Sequence, residues 1–404
     1  MPGLSSMLGL ALLAASTAPA ALDFDLSPTS AERTRIYTAG DHGFESDSVA
    51  EDEQYSVALP EGLYRVSLRI GSARQSGRTT VKAEARRLMV NNVATRRGES
   101  IERSFLVDVR RPDLPPPPPT APGADKVRLD ARDLGEKSWD EKLSLEFSGT
   151  PLVTHLRIEP VTALRLFLVG DSTVTDQYAE PFASWGQMLP ALLDDRIAVS
   201  NQAKSGASLK SFLVSLRLDK VLSMIAPGDW LFIQFGHNDQ KKEWPATYVD
   251  PVTTYPAYLK TYIAEARRRG AHPVLVTPPE RRNFEPDGHI RDTLGDYAEA
   301  VRLVAKQEQV PLIDLNRDSI AIYEALGPTL APTAFAKEGA DHTHHDNYGA
   351  WLMANAVARA VRMSIPALAS HVVAPAFDPA HPPSRQAVMI TPSRAVAGAP
   401  PAGS

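Results

Sequence analysis

A chain of 404 residues with 43% hydrophobic and 23% charged side chains can bury cores for roughly two to three domains, which excludes a disordered or fibrous polypeptide. Its net charge of −5 comes with no lysine or arginine run of useful length, and this argues against a nucleic-acid footprint, which needs a cationic face. The absence of cysteine excludes disulfide frameworks, thiolate metal sites and thiol nucleophiles together.

At the N-terminus, Met7 to Ala15 is an apolar run rich in Leu and Ala, and Ala18-Pro19-Ala20 ahead of Ala21 has the small-x-small form of a cleavage site. Residues 1–20 are therefore expected to be a signal peptide and the mature chain to be secreted or periplasmic. The run is too short to span a bilayer, and no later run is long enough, so no membrane insertion is expected.

Residues 21–160 read as strands broken by turns. Polar and apolar residues alternate along Tyr64 to Ile70 and Lys142 to Phe147, with further strand candidates at Thr80 to Ala85, Phe105 to Val109 and Val153 to Ile158. Pro115 to Pro119 cannot join a ladder and is expected to form a stiff surface loop. With no long helical pattern in this stretch, an antiparallel β-sandwich is the economical fold.

The character changes at Val161. Strand candidates at Leu166 to Val169, Ala198 to Asn201, Trp230 to Phe235, Pro273 to Thr277 and Pro311 to Asp314 now alternate with helical patterns. These patterns run over Trp185 to Leu193, Tyr255 to Arg269, Asp296 to Gln307 and Gly349 to Arg362. Such alternation over residues 161–365 predicts an α/β domain, a parallel sheet with helices on both faces. Residues 366–404, rich in Ala and Pro and without pattern, are expected to be extended or disordered.

In a parallel sheet, ligands bind at the carboxyl ends of the strands, and there the chemistry-bearing residues collect. The first strand runs into Gly170-Asp171-Ser172, the second into Asn201-Gln202-Ala203-Lys204-Ser205-Gly206, the third into Gly236-His237-Asn238-Asp239. Far downstream stands Asp341-His342-Thr343-His344. Acyl transfer needs a nucleophile, a base that takes its proton and donors aimed at the developing oxyanion. Ser172 can be the first and His344, oriented by Asp341, the second. The backbone N–H groups of Ser172 and Gly206 and the side-chain amide of Asn238 can be the third. Plainer roles compete: Ser172 as a helix cap, Gly206 as a turn residue, Asn238 as a cap.

Together, Gly170-Asp171-Ser172, Gly206, Gly236-x-Asn238 and Asp341-x-x-His344 resemble the four signature blocks of the SGNH (GDSL-type) hydrolases. Phe235 to Asp239, Thr277 to Arg282 and Asp287-Gly288 further resemble bacterial rhamnogalacturonan acetylesterases. The resemblance spans roughly residues 164–362. It implies a three-layer α/β/α domain that removes acetyl groups from a pectic backbone through an acetyl-serine intermediate, without a metal or other cofactor. Thr79 to Leu88 is similar to the galactose-binding-like β-sandwich that precedes such esterases. Relatives often carry Arg directly after the second-block glycine, where this chain has Ala207.

Three further residues are candidates for substrate contact. His237 sits in the third block. Trp185 starts a helix and could stack on a sugar ring or simply pack in the core. Arg281, with Arg282 beside it, could pair with galacturonate carboxylates or lie at a solvated loop edge. The run His342-Thr343-His344-His345-Asp346 also imitates a metal-binding pattern, although Asn347 stands where a last histidine belongs. The expected partner is an acetylated polysaccharide or oligosaccharide, with the chain a monomer. The alternatives are a lipase, thioesterase or arylesterase on the same scaffold, and a carbohydrate-binding protein without catalysis.

Overall fold

The computed structural model describes residues 20–48, 52–120, 123–135, 137–395 and 401–402. The expected signal peptide lies outside these residues except for Ala20. Ahead of residue 161 the chain forms β1 (Leu22–Asp25), β2 (His42–Phe44), β3 (Asp52–Ala58), β4 (Gly62–Gly71), β5 (Gly77–Ala83), β6 (Arg87–Thr95), β7 (Ser100–Val109), β8 (Lys142–Gly149) and β9 (Val153–Pro160). They pair antiparallel in two sheets, ordered β1-β9-β4-β7 and β2-β3-β8-β5-β6. Period-two alternation aims Tyr64, Val66, Leu68 and Ile70 of β4 into a core shared with Tyr55, Val81, Leu143, Leu145 and Phe147 of the other sheet. This is the sandwich-like arrangement the alternation predicts, with β1, β2, β3 and β6 added.

The second half supplies β10 (Leu164–Gly170), α1 (Trp185–Met188), β11 (Ile197–Asn201), α2 (Leu209–Val214), α3 (Arg217–Met224), β12 (Trp230–Gln234), α4 (Thr254–Arg268), β13 (His272–Val276), α5 (Gly295–Glu308), β14 (Leu312–Ile313), α6 (Leu315–Leu330), α7 (Asn347–Ser364) and α8 (Pro366–Ala369). The parallel sheet runs β11-β10-β12-β13-β14. Its strands are apolar on both faces because both are covered. Leu166 and Leu168 of β10 face Leu352, Met353 and Val357 of α7, while Phe167 and Val169 face Phe212 of α2, Val221 of α3, Ile263 of α4 and Val304 of α5. Three layers result. The chain leaves β10 for β11 on one side and then crosses to β12 on the other, so the strand order reverses at β10. That reversal opens a crevice at the carboxyl end of β10.

Two expectations need correction. The helix expected over Trp185 to Leu193 is one α turn followed by a 3₁₀ turn over Leu189–Leu192, because Pro190 cannot donate to an α ladder. The tail, after a helical turn at Pro366–Ala369, runs largely without regular structure, and its described residues are bound to the rest of the chain rather than disordered. The backbone N–H of Val373 donates to Leu192 at 2.9 Å and that of Glu180 to Ala395 at 2.7 Å. The Thr391 and Thr80 hydroxyls meet at 3.1 Å. Ser393 is buried, its hydroxyl 2.6 Å from the Lys82 ammonium and 2.7 Å from Glu146. What orders this segment is the unmet polar valence of buried sandwich residues, which periodicity does not report.

Candidate active site

β10 ends at Gly170, where a Cβ would come within 2.5 Å of Val174 Cγ2 and 2.6 Å of the Gln234 carbonyl, so only glycine lets the chain turn here. Asp171, fully buried, closes that turn by accepting the Thr173 backbone N–H at 2.9 Å and its hydroxyl at 2.8 Å. No helix begins at Ser172 for it to cap, since the next helix, α1, is capped by Ser184. Ser172 Oγ instead faces His344 Nε2 at 2.8 Å.

His344 is held by its own turn. Asp341 Oδ1 accepts the backbone N–H of Thr343 at 2.7 Å and of His344 at 2.8 Å, while Oδ2 meets His344 Nδ1 at 3.0 Å. One carboxylate therefore shapes the loop with one oxygen and orients the imidazole with the other. With Nδ1–H donating to the carboxylate, Nε2 is the nitrogen that faces the serine hydroxyl as proton acceptor. Burial works against the Asp341 charge, but the hydrogen bonds and field of His344 and the two backbone donors hold its carboxyl down at about 2. Phe182 meets the His344 ring edge-on at 6.0 Å between centroids.

Gly206 has φ +82°, a left-handed conformation that suits glycine. A Cβ on it would also come within 3.0 Å of Ala402. Among the described residues the backbone N–H groups of Ser172 and Gly206 donate to no backbone acceptor, and open donors near a nucleophile can receive an oxyanion. The Asn238 side-chain amide is buried and anchored by one donated bond, 3.0 Å to the Ala207 carbonyl. Removing this amide in Asn238→Ala is expected to lower kcat by about 10²- to 10³-fold with KM little changed, measured on a p-nitrophenyl acetate assay. Ala207 itself is buried, so no guanidinium stands at that position.

Of the three residues considered for substrate contact, Trp185 must be corrected. It is 1% exposed and its indole N–H donates to Gln234 Oε1 at 2.7 Å, so it packs in the core and cannot stack on a ligand. His237 is buried, with Nδ1 3.3 Å from Asp171 Oδ2 and Nε2 without a hydrogen-bond partner. Burial lowers its pKa, against the pull of Asp171. Arg281 is half-buried behind it and donates to the His237 carbonyl at 3.4 Å. The histidine-rich run is divided among different partners: His342 bonds Asn283 at 2.8 Å, His344 bonds Ser172 and Asp341, and His345 bonds the Tyr323 hydroxyl at 2.8 Å. Burial pushes His345 down to about 3, so it is neutral. Among the described residues no group of three or more carboxylate or imidazole side chains is arranged to hold a metal ion.

Sequence reasoning passed over the residues behind this surface. Gln177 Nε2 donates to the Ser172 carbonyl at 2.7 Å, and Gln234 Nε2 to the Thr173 hydroxyl at 2.9 Å. The available signal was the polar density of Thr173 to Gln177 directly after an apolar strand.

Residues 168–352 match the GDSL-like Lipase/Acylhydrolase family. Over 204 residues, 50% of this chain and 93% of the other, the sequence is 42% identical to the probable rhamnogalacturonan acetylesterase YesY of Bacillus subtilis. It is 38% identical over 224 residues, 52% of this chain and 94% of the other, to the rhamnogalacturonan acetylesterase RhgT of the same organism. The crystal structure of YxiM, also from Bacillus subtilis, covers 85% of this chain and 98% of its own with a TM-score of 0.51 at 23% identity, so the fold is shared across both halves. With YesY aligned almost end to end at that identity, the chain belongs to the GDSL-like lipase/acylhydrolase family and is a carboxylic ester hydrolase.

Proposed function

We propose that the protein is an exported carbohydrate O-acetylesterase that removes acetyl groups from pectic rhamnogalacturonan or a related plant polysaccharide. The observation that carries this reading is the relay of 2.8 Å from Ser172 Oγ to His344 Nε2 and 3.0 Å from Nδ1 to Asp341. Ser172 Oγ adds to the acetyl carbonyl as its proton passes to Nε2. The carbonyl oxygen, now negative, takes hydrogen bonds from the N–H groups of Ser172 and Gly206 and the amide of Asn238. When the tetrahedral centre collapses, the C–O bond to the sugar breaks and the imidazolium returns its proton to the departing sugar oxygen. Water then attacks the acetyl-serine with His344 again as base, releasing acetate and restoring the hydroxyl.

The sugar named here is supported by YesY and RhgT, whose names specify rhamnogalacturonan. Export is supported by the sequence of residues 1–20. The test is acetate release from acetylated pectic rhamnogalacturonan, acetylated xylan and acetylated chitin oligomers, beside acetyl and octanoyl p-nitrophenyl esters. The reading expects pectic rhamnogalacturonan to be fastest among the polymers and acetyl to exceed octanoyl by at least about tenfold, since a pocket sized for two carbons gains nothing from six more. Preference for octanoyl would favour a lipase or thioesterase instead, and turnover of aryl esters alone an arylesterase. Binding of the polymers with no turnover of any ester would leave a carbohydrate-binding protein.

A further inference from the structure

We propose that Arg86, on the turn between β5 and β6 of the sandwich, and Arg87, the first residue of β6, are positioning residues for ester cleavage in the other half of the chain, and this rests on Ser172 being the nucleophile. Arg87 is 1% exposed and holds Asp108 of β7, in the sandwich's other sheet, with Nη1 and Asp176 of the loop after Ser172 with Nε, each at 2.8 Å. Asp176 in turn accepts from Asn201 Nδ2 at 2.8 Å, and the same amide reaches the Val174 carbonyl at 2.7 Å. Asn201 opens the segment that ends at Gly206. One guanidinium therefore ties the segment carrying the nucleophile to the segment carrying an oxyanion donor.

Arg86 works beside it. Its Nη1 donates to the carbonyls of Gln177 at 3.1 Å and Phe182 at 3.0 Å, and Nη2 pairs with Glu180. Gln177 then passes the restraint back through its side chain to the Ser172 carbonyl at 2.7 Å. Gln187 closes the circuit, its amide shared between the carbonyls of Ala85 and Gln177 at 2.9 Å each.

Two observations point past simple adhesion between the halves. Buried ion pairs add little net stability over apolar packing of the same volume, so a seam built for stability alone does not need them. The turn that delivers them is also strained, with Glu84 at φ 55° and Arg86 at φ 65°, left-handed conformations that non-glycine residues hold only where surroundings enforce them.

The test uses the full chain carrying Arg86→Met, Arg87→Met, Arg87→Lys or Gln177→Leu. In folded protein, Arg86→Met, Arg87→Met and Gln177→Leu are each expected to lower kcat on p-nitrophenyl acetate by about 10- to 100-fold, the loss typical of a catalytic group displaced by about 1 Å. KM should change less than about threefold, phosphonofluoridate capture of Ser172 should slow in proportion, and Arg87→Lys should recover part of the rate. Gln177→Leu removes no charge and keeps the test decisive where an arginine variant does not fold: wild-type kcat and labelling in it, or in folded arginine variants, overturn the proposal. Ser172→Ala separates the two claims. An active Ser172→Ala enzyme overturns the nucleophile and the positioning with it, whereas an inert one beside fully active arginine variants overturns the positioning alone.

Discussion

Ser172→Ala is expected to fold as the wild type does and to lose on the order of 10⁴- to 10⁶-fold in kcat, because on the proposed mechanism the Ser172 hydroxyl forms the acetyl-enzyme. The variant removes one oxygen from a buried position and leaves His344 Nε2 without its 2.8 Å partner. Losing one buried hydrogen bond of this kind costs about 1–3 kcal/mol, less than the stability of an ordinary domain, so loss of activity will not be loss of fold. Acetate release reads the rate, and intact mass after phosphonofluoridate treatment reads the covalent adduct. Full turnover in the alanine variant would overturn the nucleophile assignment.

The second large effect is expected from Asp341→Asn, about 10⁴-fold in kcat near neutral pH. An amide can offer Nδ1 an N–H in place of an acceptor, which turns the imidazole to the wrong tautomer and leaves Nε2 protonated toward Ser172. The same variant should change acid stability. The Asp341 carboxyl sits at about 2 in the folded chain against 3.8 ordinarily, so its ionised form favours folding by about 2 kcal/mol. Because the folded value is the lower one, this contribution is present above pH 4 and fades as pH falls through 2. Denaturant midpoints measured between pH 4 and pH 2 should fall less steeply in Asp341→Asn than in the wild type. Equal slopes would mean that the carboxylate is not held by His344 and its neighbours.

The parallel sheet was legible because burial on both faces writes its strands as apolar runs, and the site because short strands end where polar residues begin. Ser172, Gly206, Asn238, Asp341 and His344 lie on four loops, and spacing alone does not say that they meet. Strand order brings the first three loops to one edge, and the Asp341–His344 loop ahead of α7 is carried to them by the helices that follow β14. Trp185 was misread because a tryptophan at a helix start looks alike whether it faces a ligand or, as here, Gln234. Arg86 and Arg87 were invisible as functional residues because charged side chains in a strand pattern read as the solvent face, while these turn inward to partners roughly 90 residues away. β2 has only three residues and β1 four, too short for alternation to register. The binding of the tail was illegible for another reason: its order comes from the groups that receive it and not from any periodicity of its own.

That strap has a bearing on how the molecule assembles. Lys82 finds Glu146 after 64 residues of synthesis, but Ser393, which both Lys82 and Glu146 contact, arrives 311 residues after the lysine. The sandwich can close early around a cation whose coordination is incomplete, and the seam that borders the candidate catalytic loops is finished only once Ser393 has emerged. Contacts of such long sequence separation form slowly. Full activity should therefore lag behind the acquisition of secondary structure during refolding.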